Sequence, residues 1–293
     1  GLRLHAIFHQ LCEQCGESRM SAVKHLDTME FEQLPLVADL PVPMGPAAPL
    51  PVAPLGAAAI AQPAGATAKQ AVAPKTAAPK IHLDLPDGVP AYWAEACRQL
   101  MRRDRVLKRL IPQLGSQALQ PCGQEQAFAT LARSIIGQQI SAKSAKTLWN
   151  KFARLPAAMQ PEQVLRLKVD DMRGAGLSAR KVDYLVDLAL HFTEHRLHMD
   201  EWAQMSDEVI IAELMSIRGL SRWTAENFLI YCLGRPNVLP LDDAGLIQGI
   251  SLNHFSGDPV SRSDAREVAE AWKPWCTVAT WYIWRSLEAQ PVA

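Results

Sequence analysis

Two carboxylates in sequence, Asp242 and Asp243, stand where a new helix is expected to begin, after Gly234 and Pro236 have closed the preceding one and Pro240 has stiffened the approach. A carboxylate at a helix start feels the positive end of the dipole, which favours the ionised form. That suits stabilising a positive charge and ill suits giving up a proton. The plain alternative is that both residues only cap the helix. Upstream lies Leu214-Met215-Ser-Ile217-Arg-Gly219-Leu220-Ser221-Arg-Trp223-Thr224-Ala. Ile217 is expected to end an apolar-spaced helix, Gly219 to take the positive φ of a reversal, and Ser221 to cap a helix beginning at Arg222. Amides left unpaired at such a start can hold a phosphate without a cluster of basic side chains. The partner this implies is a phosphate-bound polymer.

The elements that must position these residues are helices. Phe128, Leu131 and Ile135 share one face, as do Val182, Leu185 and Phe192, with Ser141 and Ser178 placed as caps. No run alternates as a half-buried strand would. The expectation is an all-α fold of about ten short helices. From Pro35 to Pro79 the chain is rich in Pro and Ala with almost no charge, so residues 1–83 read as a disordered tail and linker, with a short helix within 1–34. The folded core is expected over 84–293.

Zero formal net charge gives no bulk attraction to nucleic acid, so any such contact must be local. The basic run Arg102-Arg-Asp104-Arg-Val-Leu-Lys-Arg109 reads as a solvated helix face. Six cysteines at positions 12, 15, 97, 122, 232 and 276 form no regular framework and read as reduced thiols. Cys12 and Cys15, with His9 and His25 nearby, are weak evidence for half a zinc site. No segment is long and apolar enough to cross a membrane, and no leader pattern opens the chain, so a cytoplasmic protein is expected, nucleoid-associated in a bacterium or nuclear in a eukaryote.

Residues 214–225 resemble the hairpin of the helix-hairpin-helix/GPD superfamily of DNA base-excision glycosylases, most of all the 3-methyladenine DNA glycosylase II group. Three further stretches match in the family's order: Leu131-Ala-Arg-Ser-Ile-Ile-Gly-Gln138-Gln139-Ile-Ser, Gly174-Ala-Gly-Leu-Ser-Ala-Arg-Lys181, and Ala271-Trp-Lys-Pro-Trp275 leading to Trp281-Tyr-Ile-Trp284. The resemblance covers roughly residues 88–287. It implies two helical lobes around a DNA-binding cleft, lobe one from 84–119 plus 236–293 and lobe two from 120–235.

It also implies a site. The family's catalytic Asp is followed three positions later by a bulky apolar residue, which matches Asp243 with Leu246 and leaves Asp242 as a cap. Trp223 and Trp284 correspond to the pocket tryptophans, and Asn227 stands where some relatives carry an aromatic residue; Trp272, Trp275 and Trp281 are left as packing. Phosphate would be held by the amides of Gly219, Ser221 and Thr224, and Gln139 would fill the gap left by an extruded base. The carbonyls of Met215, Ile217 and Leu220 would ring a sodium or potassium ion bracing the hairpin; no cofactor is required. Ser221 replaces a second glycine common in the family. Relatives that also cut the strand carry a lysine nucleophile where this chain has Trp223, so the activity implied is that of a monofunctional glycosylase, without lyase activity. Of the family's four-cysteine iron–sulfur loop only Cys276 lies in the right region. The expected substrate is double-stranded DNA bearing alkylated purines such as 3-methyladenine, bound by a monomer. The alternatives are a glycosylase of the same fold acting on deaminated or oxidised bases, and a non-catalytic binder of DNA structure.

Overall fold

A computed structural model describes residues 85–288 except 116 and 158. The 1–83 tail, its helix and the Cys12/Cys15 pair lie outside the described residues. Within them the fold is all-α, with twelve α-helices, two single 3-10 turns and no strand.

Helices α1 (Trp93–Arg103) and α2 (Arg105–Leu114) would be one rod but for Asp104. Its backbone is extended, at φ −130° and ψ 122°, and Oδ1 accepts from the amides of Val106 (2.7 Å) and Leu107 (3.1 Å), which caps α2. The basic run at 102–109 is therefore not one solvated helix face, because a buried capping carboxylate breaks it in the middle. Oδ2 of Asp104 accepts from Trp272 Nε1 at 2.7 Å and lies 2.9 Å from His254 Nε2. Burial pushes this carboxyl upward, but the hydrogen bonds from His254, Trp272 and the Leu107 amide outweigh it and hold the pKa at about 2. A carboxyl lowered on folding stabilises the native state above its ordinary 3.8, and that contribution disappears as pH falls through about 2. Asp104→Asn is expected to remove about 2 kcal/mol of stability at neutral pH and to flatten the loss between pH 4 and 2, measurable by urea unfolding across that range.

The remaining helices are α3 (Ala127–Gly137), α4 (Ala142–Phe152), α5 (Pro161–Leu165), α6 (Val169–Gly174), α7 (Ala179–Thr193), α8 (Asp207–Met215), α9 (Arg222–Tyr231), α10 (Ala244–His254), α11 (Arg262–Glu270) and α12 (Cys276–Glu288). They pack in two sets. Helix α12 gathers α1, α2 and α10, with α11 against α10, while α3 gathers α4, α7 and α9, with α5 and α6 on α7 and α8 on α9. The expected faces appear: Phe128 meets Phe192 edge-on at 5.3 Å, Ser141 accepts from the Ser144 amide and Ser178 from the Lys181 amide.

Packing by Trp272, Trp275 and Trp281 also appears, each indole N–H being satisfied, by Asp104, Gln99 and the Gln117 carbonyl respectively. Close approach of α10 to α12 depends on Gly249, since a Cβ there would lie 2.4 Å from Ile283 Cγ2. That approach sets the start of α10 beside Trp284.

Candidate active site

The hairpin runs from α8 through a tight turn into α9. Helix α8 ends at Met215, two residues before the expected Ile217, because residues 216–220 already close the turn, with Leu220 N donating to Ile217 O at 3.2 Å. Gly219 sits at φ +89°, and a Cβ on it would fall 2.2 Å from Tyr184 Cδ2. Ser221 takes the N-cap at φ −95°, a conformation open to any L-residue, so replacing glycine there costs no left-handed strain. The amides of Gly219 and Ser221 make no hydrogen bond among the described residues. That of Thr224 differs from expectation: it donates to Ser221 Oγ at 3.3 Å, since the N-cap serine claims the N–H three residues on. Asp187 braces the turn by accepting from the Arg218 amide at 2.8 Å. No local motif announces Asp187, which lies a whole helix away in sequence.

A second turn leans on this one. Between α3 and α4, Gln139 is exposed and held at φ +61°, an unusual conformation for a residue with a Cβ. Its neighbour Gln138 donates from Nε2 to Gly219 O at 2.7 Å, and Lys181 Nζ donates to Ile136 O at 2.6 Å. The turn carrying Gln139 is thus hydrogen-bonded to the hairpin apex. In sequence, Gln138 is merely the other half of a Gln pair.

Asp243 is where three elements converge. It is the N-cap of α10, with Oδ1 accepting from Leu246 N at 2.7 Å and from Trp284 Nε1 at 2.9 Å, while Oδ2 accepts from Trp223 Nε1 at 2.9 Å. The division of labour expected for the pair is therefore corrected: Asp243 is itself the cap, and Asp242, exposed, pairs with Arg262 at 2.6 Å. One carboxylate can serve both ends because a cap uses a single lone pair and leaves the others free. A second correction concerns access. Asp243 has no exposed surface, so it does not face an open cleft. The indole of Trp223, only partly buried, covers Oδ2, and a sugar can reach that oxygen only after the indole moves.

Trp223 and Trp284 are brought together as expected, and Trp284 stacks on Tyr231, a neighbour with no signal of its own in the sequence (5.9 Å between centroids, 9° between planes). Asn227 is fully buried one turn after Trp223 and donates from Nδ2 to the Trp223 carbonyl at 2.8 Å. A groove of about 510 Å³ lies beside Asp242, lined by Gln248 and Arg262 among others, but neither Asp243 nor the two indoles line it.

A further buried carboxylate, Glu226, accepts from Arg222 Nε at 2.9 Å, and Arg222 also reaches Glu208. Burial is the largest influence on Glu226 and lifts its pKa to about 7 despite the guanidinium. The folded chain therefore holds a proton that the unfolded chain has lost between pH 4.5 and about 7, so this residue makes stability fall as pH rises through that window. Glu226→Gln is expected to flatten that slope, by as much as about 3 kcal/mol, in unfolding curves at pH 5 and pH 8.

Residues 132–275 match the family described as HhH-GPD superfamily base excision DNA repair protein. YfjP of Bacillus subtilis is 34% identical over 170 residues, and the match spans 55% of this chain and 59% of that relative. DNA-3-methyladenine glycosylase 1 of Schizosaccharomyces pombe is 29% identical over 188 residues, 62% of this chain and 82% of its own length. Among solved structures, the Schizosaccharomyces pombe 3-methyladenine DNA glycosylase in complex with abasic DNA superposes with a TM-score of 0.61 at 27% identity, covering 68% of this chain and 99% of that one.

Proposed function

We propose that this chain, which belongs to the HhH-GPD superfamily of base excision DNA repair proteins, is a monofunctional DNA glycosylase that frees alkylated purines such as 3-methyladenine and leaves an abasic site. The observation that carries the reading is the Asp243 carboxylate, held by three N–H donors against two indoles immediately beside the phosphate-binding hairpin.

Breaking an N-glycosidic bond puts positive charge on C1′ and the ring oxygen. A fixed carboxylate lowers that barrier by electrostatics and orients the attacking water. With Trp223 moved aside, the Leu246 amide and the Trp284 indole on Oδ1 still keep Asp243 from rotating, so little reorganisation is needed at the moment of bond cleavage. Base extrusion costs a few kcal/mol in unstacking and unpairing. Gln139, exposed at its turn, is placed to fill the gap, while the amides of Gly219 and Ser221 hold the backbone phosphate. A purine methylated at N3 or N7 is cationic, and stacking on tryptophan faces away from water favours it by about 2 kcal/mol or more. With Trp223 in place of an amine no Schiff base can form, so water is the nucleophile and the strand stays intact.

Double-stranded DNA with damaged bases is the partner, bound by one copy of the chain. A sodium or potassium ion at the carbonyls of Met215, Ile217 and Leu220 fits the turn, where Ile217 O uses one lone pair on Leu220 N and keeps another. It would add rigidity to the hairpin.

The test is to incubate the full chain with methylated duplex DNA and identify freed bases by chromatography. Freed 3-methyladenine together with alkali-labile, otherwise unbroken strands is expected. No freed base, or strand breaks without alkali, would overturn the reading.

A further inference from the structure

Helix α9 turns three residues toward α12 at four-residue spacing: Trp223, Asn227 and Tyr231. The first donates to Asp243 Oδ2, and the last stacks on Trp284, whose indole donates to Oδ1. Asn227 lies between them on the helix and is fully buried. Its Nδ2 is fastened to the Trp223 carbonyl at 2.8 Å, which orients the amide, because exchanging its nitrogen and oxygen would set two carbonyl oxygens against each other. The other end, Oδ1, is fully buried and has no hydrogen-bond partner among the described residues. On the facing helix, Thr280 stands one turn before Trp284, is equally buried, and its Oγ1 also lacks a partner. Two orphaned polar atoms, each one turn from an indole that holds the reactive carboxylate, are costly in a region otherwise lined by aromatic rings. An apolar side chain at 227 would serve the fold better.

We infer that Asn227 is a specificity-determining residue: its Oδ1 accepts a hydrogen bond from an N–H donor on the extruded base, so that the site selects alkylated purines that keep such a donor. The inference rests on the glycosylase reading and narrows its substrate class. In 3-methyladenine the exocyclic amine shares the positive charge of the ring, which makes the bond to a neutral amide oxygen charge-assisted. In 1,N6-ethenoadenine that amine is consumed by ring closure and no N–H remains. Such a base leaves Oδ1 as unpaired as it is in the free protein, and a site built around a hydrogen bond discriminates strongly against an analogue that lacks it.

Single-turnover base release is to be measured with the full chain and with Asn227→Leu and Asn227→Asp on two substrates, methylated duplex DNA (3-methyladenine release) and a duplex carrying one 1,N6-ethenoadenine. Leu removes the acceptor at similar size, and Asp, kept protonated by full burial, donates its O–H to the Trp223 carbonyl in place of Nδ2 and keeps the acceptor. Asn227→Leu is expected to slow 3-methyladenine release by about 10- to 100-fold, to leave ethenoadenine release as it was, whether slow or undetectable, and to melt no lower than the parent, since a half-satisfied amide is gone. Asn227→Asp is expected to retain most of the 3-methyladenine rate. Equal slowing of both substrates by Leu, an unchanged 3-methyladenine rate in Leu, or loss in Asp as severe as in Leu would overturn the assignment. Failure of the parent chain to free any base would instead overturn the glycosylase reading, and this inference with it.

Discussion

Asp243→Asn is expected to abolish base release, lowering the single-turnover rate on methylated duplex DNA by at least about 10³-fold, while duplex affinity stays equal or improves. Two consequences of the geometry produce this result. The carboxylate that would stabilise charge on the deoxyribose is lost. The amide also cannot reproduce the hydrogen bonding. Asn Oδ1 can still accept from Leu246 N and Trp284 Nε1, but its NH₂ would point at Trp223 Nε1, a donor against a donor. Trp223 is then expected to lose its anchor, and the chain to lose roughly 1–3 kcal/mol of stability. Affinity for DNA is not expected to fall, because the change removes a buried negative charge beside the hairpin and alters none of its amides. A native rate of release in the Asn variant would show that the site assignment is wrong.

Gly219→Ala should disable DNA engagement with the chain still folded. At φ +89° an alanine pays about 1–2 kcal/mol for its Cβ alone. That Cβ would also stand 2.2 Å from a Tyr184 ring carbon, so the ring or the turn must move. If the turn moves, it displaces the two unpaired amides proposed to hold phosphate and also the Gly219 carbonyl that holds Gln138, loosening the turn that carries Gln139. The expected result is a duplex Kd weakened tenfold or more, with base release slowed at subsaturating DNA and a stability loss of about 2–4 kcal/mol. Combining it with Tyr184→Ala removes the clash and leaves the backbone cost, so only part of the loss should return. Native duplex affinity in Gly219→Ala would remove the hairpin from the account of binding.

The hairpin was legible in the sequence because everything it needs lies within a dozen residues. A glycine for the positive φ and a serine for the cap act through the local backbone, and both appear where expected, while helix α8 stops two residues short of Ile217. Even there a local reading failed on one amide: Thr224 N–H was assigned to phosphate, whereas the neighbouring cap claims it. The Asp242/Asp243 pair shows the limit more clearly. Both residues satisfy the same helix-start rule, and which one turns inward depends on Trp223 and Trp284, twenty and forty-one residues away. Asp104 hid inside a basic run for the same reason, its partners Trp272 and His254 being 168 and 150 residues distant.

The helical class, the glycine turn and the serine cap could be read from the amino-acid sequence alone. These are properties of residue type and short spacing, and backbone sterics and capping express them without help from the rest of the chain. It took the packed fold to make one aspartate both cap α10 and receive two indoles, to lay Trp223 over it, to tie the Gln139 turn to the hairpin through Gln138, and to leave the buried Asn227 Oδ1 with no donor among the described residues. Each of these is a hydrogen bond made, or left unmade, between helices, and it exists only where packing has brought distant parts of the chain within about 3 Å of one another.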